Sequence, residues 1–220
     1  MGRSTIPMTQ VRKIDPEDER CRHYYLVDAN FLANKHIPAS RISNSVDRDR
    51  VVACQEWWHQ IDAQLASDHA RVYVPDICIA EAFKVLAKKY YSERVFASAR
   101  SYHYAKSKLS KDIRTNSRDL QSHARKVKYH DISTNRDIVI GVDRFFETFM
   151  KHGHKVQIGD LIFAATAKYL MDFYDIAKDY LHIVTLDRPL RRGIAKMNFL
   201  PRAYDPTERA HRAHRIFDCD

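Results

Sequence analysis

The chain has 220 residues, 45% hydrophobic and 30% charged, and carries a formal net charge of +9. That length supports one good-sized core, and the charge points to a polyanionic partner, a charged membrane surface or a face of solvated lysines. The five glycines, at 2, 141, 153, 159 and 193, fit neither GxGxxG nor GxxxxGK[ST], which excludes dinucleotide-binding and P-loop chemistry, and the apolar runs are too short for a helical membrane span.

The four cysteines (Cys21, Cys54, Cys78, Cys219) stand far apart without a CxxC pair. They read as buried or free thiols of a cytoplasmic protein, not as a zinc site or disulfide framework. Residues 1–20 form a polar N-terminal lead-in without the hydrophobic segment of a signal peptide. Residues 23–27 predict a short buried strand, and residues 30–37 a short helix that stops before Pro38. Val51, Cys54, Trp58, Ile61 and Leu65 fall at helical spacing within 47–67. Residues 71–74 read as a second strand ended by Pro75, and 76–91 as a strong helix. The stretch 92–128 holds ten Lys/Arg against Glu93, Asp112 and Asp119, lacks Pro and Gly, and predicts a basic helical insertion. A brief strand at 129–133 and helices at 135–151 and 159–174 follow. Residues 181–186 (LHIVTL) are a clear strand, followed by a helix around 188–197, an edge strand at 198–204 and a basic tail at 205–220. Strands separated by helices predict a three-layer α/β/α domain with a mainly parallel sheet, over residues 21–204. In such sheets ligands bind outside the carboxyl ends of the strands.

Four carboxylates interrupt this pattern. Asp28 ends the first strand, Asp187 the strand at 181–186, Asp160 opens a helix, and Glu81 sits on the border of the apolar side of helix 76–91. Singly, Asp28, Asp160 and Asp187 read as helix N-caps, and Glu81 as a solvated residue or a partner of Lys84 or Lys88. Together, two aspartates at the ends of two strands share one rim, where like charges repel unless a cation joins them. Mg²⁺ or Mn²⁺ suits such a rim, because hard ions prefer carboxylate oxygens and water. One or two such ions support in-line phosphoryl displacement.

The stretches LVDANFL, VPDICIAEAFKVL, IGDLIFAATAK and IVTLDRPL, in this order, resemble the four signatures of the PIN-domain family across roughly residues 22–204. The resemblance implies an α/β fold and a metal-dependent nuclease, mostly acting on RNA, with many bacterial members being toxins paired with an antitoxin. It implies that Asp28, Glu81, Asp160 and Asp187 hold the metal, that Asn30 orients a ligand or water, and that Thr185 is the hydroxyl residue two before the last acid. It also implies a homodimer. The length of this chain, mostly in 92–128, departs from the compact toxin pattern.

The basic segment offers Lys106, Lys108, Lys111, Arg114 and Arg118 to RNA phosphates, with Tyr102 and Tyr104 interleaved for base stacking; the alternative is a solvated helical face. The histidine pairs at 152 and 154 and at 211 and 214 match no zinc spacing. Trp57–Trp58 reads as core or interface packing. The leading expectation is an endoribonuclease using metal-activated water. Its alternatives are a catalytically silent RNA- or protein-binding scaffold and a structure-specific DNA nuclease.

Overall fold

The computed structural model describes residues 22–113, 128–151, 153, 157–208 and 215–217. Its centre is a five-stranded sheet in the order β3-β2-β1-β4-β5, in which every pair is parallel. The strands are β1 (His23–Val27), β2 (Ala70–Pro75), β3 (Tyr129–Ile132), β4 (Leu181–Val184) and β5 (Ala203–Tyr204). Among the described residues seven α-helices surround it: α1 (Ala29–Asn34), α2 (Ser45–Ala66), α3 (Asp76–Tyr91), α4 (Ala99–Ile113), α5 (Arg136–Lys151), α6 (Ile158–Phe173) and α7 (Arg188–Ile194). This is the three-layer α/β/α architecture with a parallel sheet that the sequence predicts.

A parallel sheet covered by helices needs strands apolar on both faces. β2 is buried along its whole length, as is β4, and β1 is buried from Tyr24 onward. Helix α2 seals one side with Trp57 and Trp58, both 2% exposed. Trp58 stacks on Phe31 with ring centroids 4.7 Å apart, and its Nε1 donates to the Phe31 carbonyl at 2.9 Å. The tryptophan pair is therefore core.

The predicted strand 181–186 is shorter than expected. Pairing with β1 ends at Val184, leaving Thr185 and Leu186 as a bridge to Asp187. The expected edge strand at 198–204 contracts to Ala203–Tyr204. In the basic insertion, α4 buries Tyr102, Ala105 and Leu109, a stripe at helical spacing, and packs on α3. Its far end is anchored by Asp112, which lies 3.3 Å from His36 and 3.5 Å from Lys35. In the region of the basic tail, Asp205 is buried and paired with Arg191 at 2.6 Å. A short turn, Arg215–Phe217, lays Ile216 into the core, where Tyr25 Oη and Gln64 Nε2 donate to its carbonyl at 3.1 and 3.0 Å. Among the described residues no helix is long and apolar enough to cross a membrane.

Candidate active site

The chain leaves β1 for β2 and β3 on one side, then returns to build β4 on the other. Strand order thus reverses between β1 and β4, and the carboxyl ends of strands at such a switch point leave a crevice. Asp28 follows β1 directly and Asp187 lies three residues beyond β4. Glu81 from α3 and Asp160 from the first turn of α6 complete the walls. All four line one cavity of about 480 Å³, together with Asn30, Lys84 and Lys88.

Asp28 is the most constrained of the acids. It caps α1, accepting from the Phe31 amide through Oδ1 at 2.6 Å. Its Oδ2 accepts from the Thr185 hydroxyl at 2.6 Å and from the Leu186 amide at 3.1 Å. Burial nonetheless pushes its pKa up to about 6, with the Asp187 charge adding to the rise and these hydrogen bonds opposing it. Asp187 caps α7 through Oδ1, which accepts from the Leu190 amide at 2.6 Å. Asp160 is not an N-cap. It is the third helical residue of a capping box in which Gln157 is the cap, and its Oδ2 accepts from the Gln157 amide at 2.9 Å. Burial raises the Asp160 pKa, and the charges of Asp187 and Glu81 raise it further. The three aspartates and Glu81 therefore sense one another, directly or in a chain.

Capping and site membership are compatible because each cap uses one oxygen. No further hydrogen bond from the described residues reaches the second oxygen of Asp160 or Asp187. Glu81 is exposed at the cleft and makes no ion pair with Lys84 or Lys88; Lys88 instead approaches Glu93 at 3.7 Å. A Cβ added at Gly159 would lie 3.7 Å from Glu81 Oε1, an ordinary contact distance, so the start of α6 passes close to Glu81.

Thr185 is wholly buried, and it lines the floor of the same cleft beside Asp28 and Asp187. It donates to Asp28 Oδ2 and accepts from the Asp187 amide at 3.0 Å, so one hydroxyl ties the first acid to the last. Asn30 is exposed on the cleft wall. Lys84 and Lys88, three and seven residues after Glu81, bring cations to a site otherwise made of acids; that helical spacing was the signal available in the sequence. Cys78 also lines the cleft, but it is 4% exposed, and burial raises its thiol pKa well above the usual range.

The proposed RNA-contacting residues divide. Tyr104 is 61% exposed, with Lys108 4.9 Å from its ring centroid. Lys108 and Lys111 are exposed and Lys106 half-buried. Tyr102 is buried, stacked on Tyr90 with centroids 4.6 Å apart, so its ring is packing and is not presented to bases. Arg114 and Arg118 lie outside the described residues, as do the histidines at 152, 154, 211 and 214.

The donor set fits a hard divalent ion: four carboxylates, two of them with raised pKa values that an added cation would relieve. Among the described residues, no three Asp, Glu, His or Cys side chains are already gathered as a metal cage. Ions that keep several waters and take one or two carboxylates do not require one.

No family model and no curated protein matches the chain. Its similarity is to solved structures. FitAB bound to an IR36 DNA fragment aligns with a TM-score of 0.49 at 18% identity, covering 84% of this chain and 96% of that one. VapBC2 from Rickettsia felis, bound to a DNA fragment from its promoter, gives 0.47 at 12%, covering 83% and 98%. FitAcB from Neisseria gonorrhoeae gives 0.47 at 19%, covering 83% and 97%.

Proposed function

We propose that this protein is a Mg²⁺- or Mn²⁺-dependent endoribonuclease. The observation that carries the reading is the convergence of Asp28, Glu81, Asp160 and Asp187, from four separate elements, on one cleft at the switch point of the sheet. A divalent ion there would supply charge stabilisation at the phosphoryl oxygens and activation of a water. The chain's own residues do the rest. Asp28 and Asp187 are held in register by Thr185, and Asp160 by its capping box, so the acidic rim is preorganised. Lys84 and Lys88 offer cations to a phosphodiester that the acids alone would repel. Asn30 stands where it can orient a water or a ligand oxygen. The exposed lysines of α4 extend the basic surface beyond α3.

The test is cleavage of an RNA pool, with a parallel DNA pool, in Mn²⁺, in Mg²⁺ and in EDTA. Asp28→Asn and Asp187→Asn run alongside after their melting curves confirm folding. RNA cleavage that requires metal and disappears in both variants is the expected result. Equal cleavage by folded variants would remove the acids from the chemistry, and cleavage of DNA alone would change the substrate. A protein that gains stability with Mn²⁺ but cleaves nothing would be a binding scaffold.

The PIN resemblance implies that such a nuclease is a toxin paired with an antitoxin and that it forms a homodimer. The apolar stripe Val139, Phe146 and Met150 on α5, each at least half exposed, supports a protein partner on that face.

A further inference from the structure

A second cavity, of about 570 Å³, lies between α7 and the loop leading to β5. Its rim carries Lys178, Arg188, Arg191, Arg192 and Arg202, and Glu208 is the one acid among its lining residues. Glu208 is taken by Arg191 at 2.7 Å, and Arg191 also holds Asp205. Lys178, Arg188, Arg192 and Arg202 form no ion pair with any described carboxylate. Two of them are fixed in place: Lys178 Nζ donates to the Asn198 carbonyl at 2.6 Å, and the Arg202 guanidinium sits 5.3 Å from the Tyr204 ring centroid. The floor is apolar, with Ile194, Met197 and Leu200 each no more than 3% exposed.

Cations above an apolar floor suit a ligand that alternates phosphates with flat apolar faces, as a nucleic-acid strand does. An acidic peptide would satisfy the cations equally. Position separates the two: Asp187 lines the acid cleft and the next residue, Arg188, lines this cavity. Lys84 and Lys88 line the acid cleft itself, so cations border the acids there and again in the adjoining cavity. A strand whose phosphate sits at the acids has neighbouring phosphates to deliver to these cations, whereas an acidic peptide has no use for the acid cleft.

We propose that this cavity binds the sugar–phosphate backbone of single-stranded RNA next to the bond held at the acids. The identity of the strand rests on the nuclease reading above. Guanidinium groups are suited to the task, because their planar forks match phosphate oxygens.

The experiment is fluorescence anisotropy of a short labelled oligouridine in EDTA, over a series of salt concentrations. Wild type is compared with Arg188→Gln/Arg192→Gln/Arg202→Gln and with a charge-matched control, Arg48→Gln/Arg50→Gln/Arg136→Gln. All three proteins are first checked by thermal melting. Each lost phosphate contact lowers the slope of log affinity against log salt by about 0.7 for single strands, so the cavity variant should lose about 2 while the control keeps its slope. A slope unchanged in the cavity variant, or lowered equally in the control, overturns the inference. So does wild type that binds no RNA, or a cavity variant that loses only its binding of polyglutamate. An unchanged slope beside cleavage that still needs Asp28 and Asp187 would sink this inference alone. A lowered slope beside cleavage by folded Asp28→Asn would sink the nuclease reading and leave the RNA groove standing.

Discussion

Replacing Gly193 by alanine tests whether the last acid depends on how α7 packs. A Cβ at this position would fall 1.8, 2.5 and 2.6 Å from three carbons of the Phe149 ring. Carbon atoms in contact sit about 3.5–4.0 Å apart, so the ring or the helix must move by roughly 2 Å. Phe149 is 1% exposed, so its ring moves only by displacing the neighbours that enclose it. Overpacking of this kind costs about 1–3 kcal/mol, while alanine in place of glycine returns up to about 1 kcal/mol of helix propensity. A net loss of about 2 kcal/mol corresponds to a fall of roughly 4–8 °C in Tm for a chain of this size. The assay is thermal and urea melting of Gly193→Ala, Phe149→Ala and the double variant. Phe149→Ala alone should cost about 3–5 kcal/mol, and in that background Gly193→Ala should become neutral or stabilising. Because α7 begins at its cap Asp187, the single glycine variant should also lose turnover at temperatures where it remains folded. An unchanged Tm, or additive costs in the double variant, would refute the packing argument.

Thr185→Val removes the donor to Asp28 and the acceptor of the Asp187 amide together. It should cost about 1–3 kcal/mol in urea melts and weaken Mn²⁺ binding by calorimetry, with Thr185→Ser restoring most of both; a Val variant with unaltered metal affinity would show that the hydroxyl does not position the acids. His182 is buried against His23, its Nε2 2.8 Å from His23 Nδ1, and burial lowers its pKa to about 3. The unfolded chain therefore takes up a proton below about 6.5 that the folded chain refuses. Stability relative to His182→Gln should fall by roughly 1.4 kcal/mol per pH unit from there toward pH 3, and a pH-independent difference would contradict it. Lys106→Gln/Lys108→Gln/Lys111→Gln should flatten the salt dependence of RNA binding by about 2, and an unchanged slope would return α4 to a solvated face. Phe146→Asp/Met150→Asp should turn a dimer into a monomer in light scattering if the α5 stripe is the homodimer face; a dimer that survives places the interface elsewhere.

Much of the architecture is legible locally. The apolar runs at 23–27 and 181–184 are strands because their residues are buried on both faces, and the helical spacing around Trp58 and in α6 reflects one buried side each. Element ends are less legible. Nothing in LHIVTL says that pairing with β1 stops at Val184, because the stop is set by the neighbouring strands and by the turn that Thr185 makes toward Asp28. Tyr102 shows the same limit: its neighbours on the chain are basic, yet the ring is claimed by Tyr90, which only the docking of α4 on α3 brings near.

The acids illustrate why a local reading and a functional one need not compete. In the sequence, a cap and a metal ligand look like alternatives for Asp28 and Asp187. In the fold each caps with one oxygen and occupies the cleft as well. The cap is what makes the site rigid, since a carboxylate bonded to the first turn of its helix has little freedom to reorient. The cost appears in Asp28, which burial drives toward the protonated form even with three hydrogen bonds opposing it. A cation at the cleft would offset that cost, so binding there should stabilise the fold most above pH 6, where Asp28 without a cation gives up its proton at a penalty, and least near pH 4, where it remains protonated. A cap that served only its helix would not need a cation. The growth of Mn²⁺-induced stabilisation between those pH values, lost in Asp28→Asn, is the signature that separates the two roles.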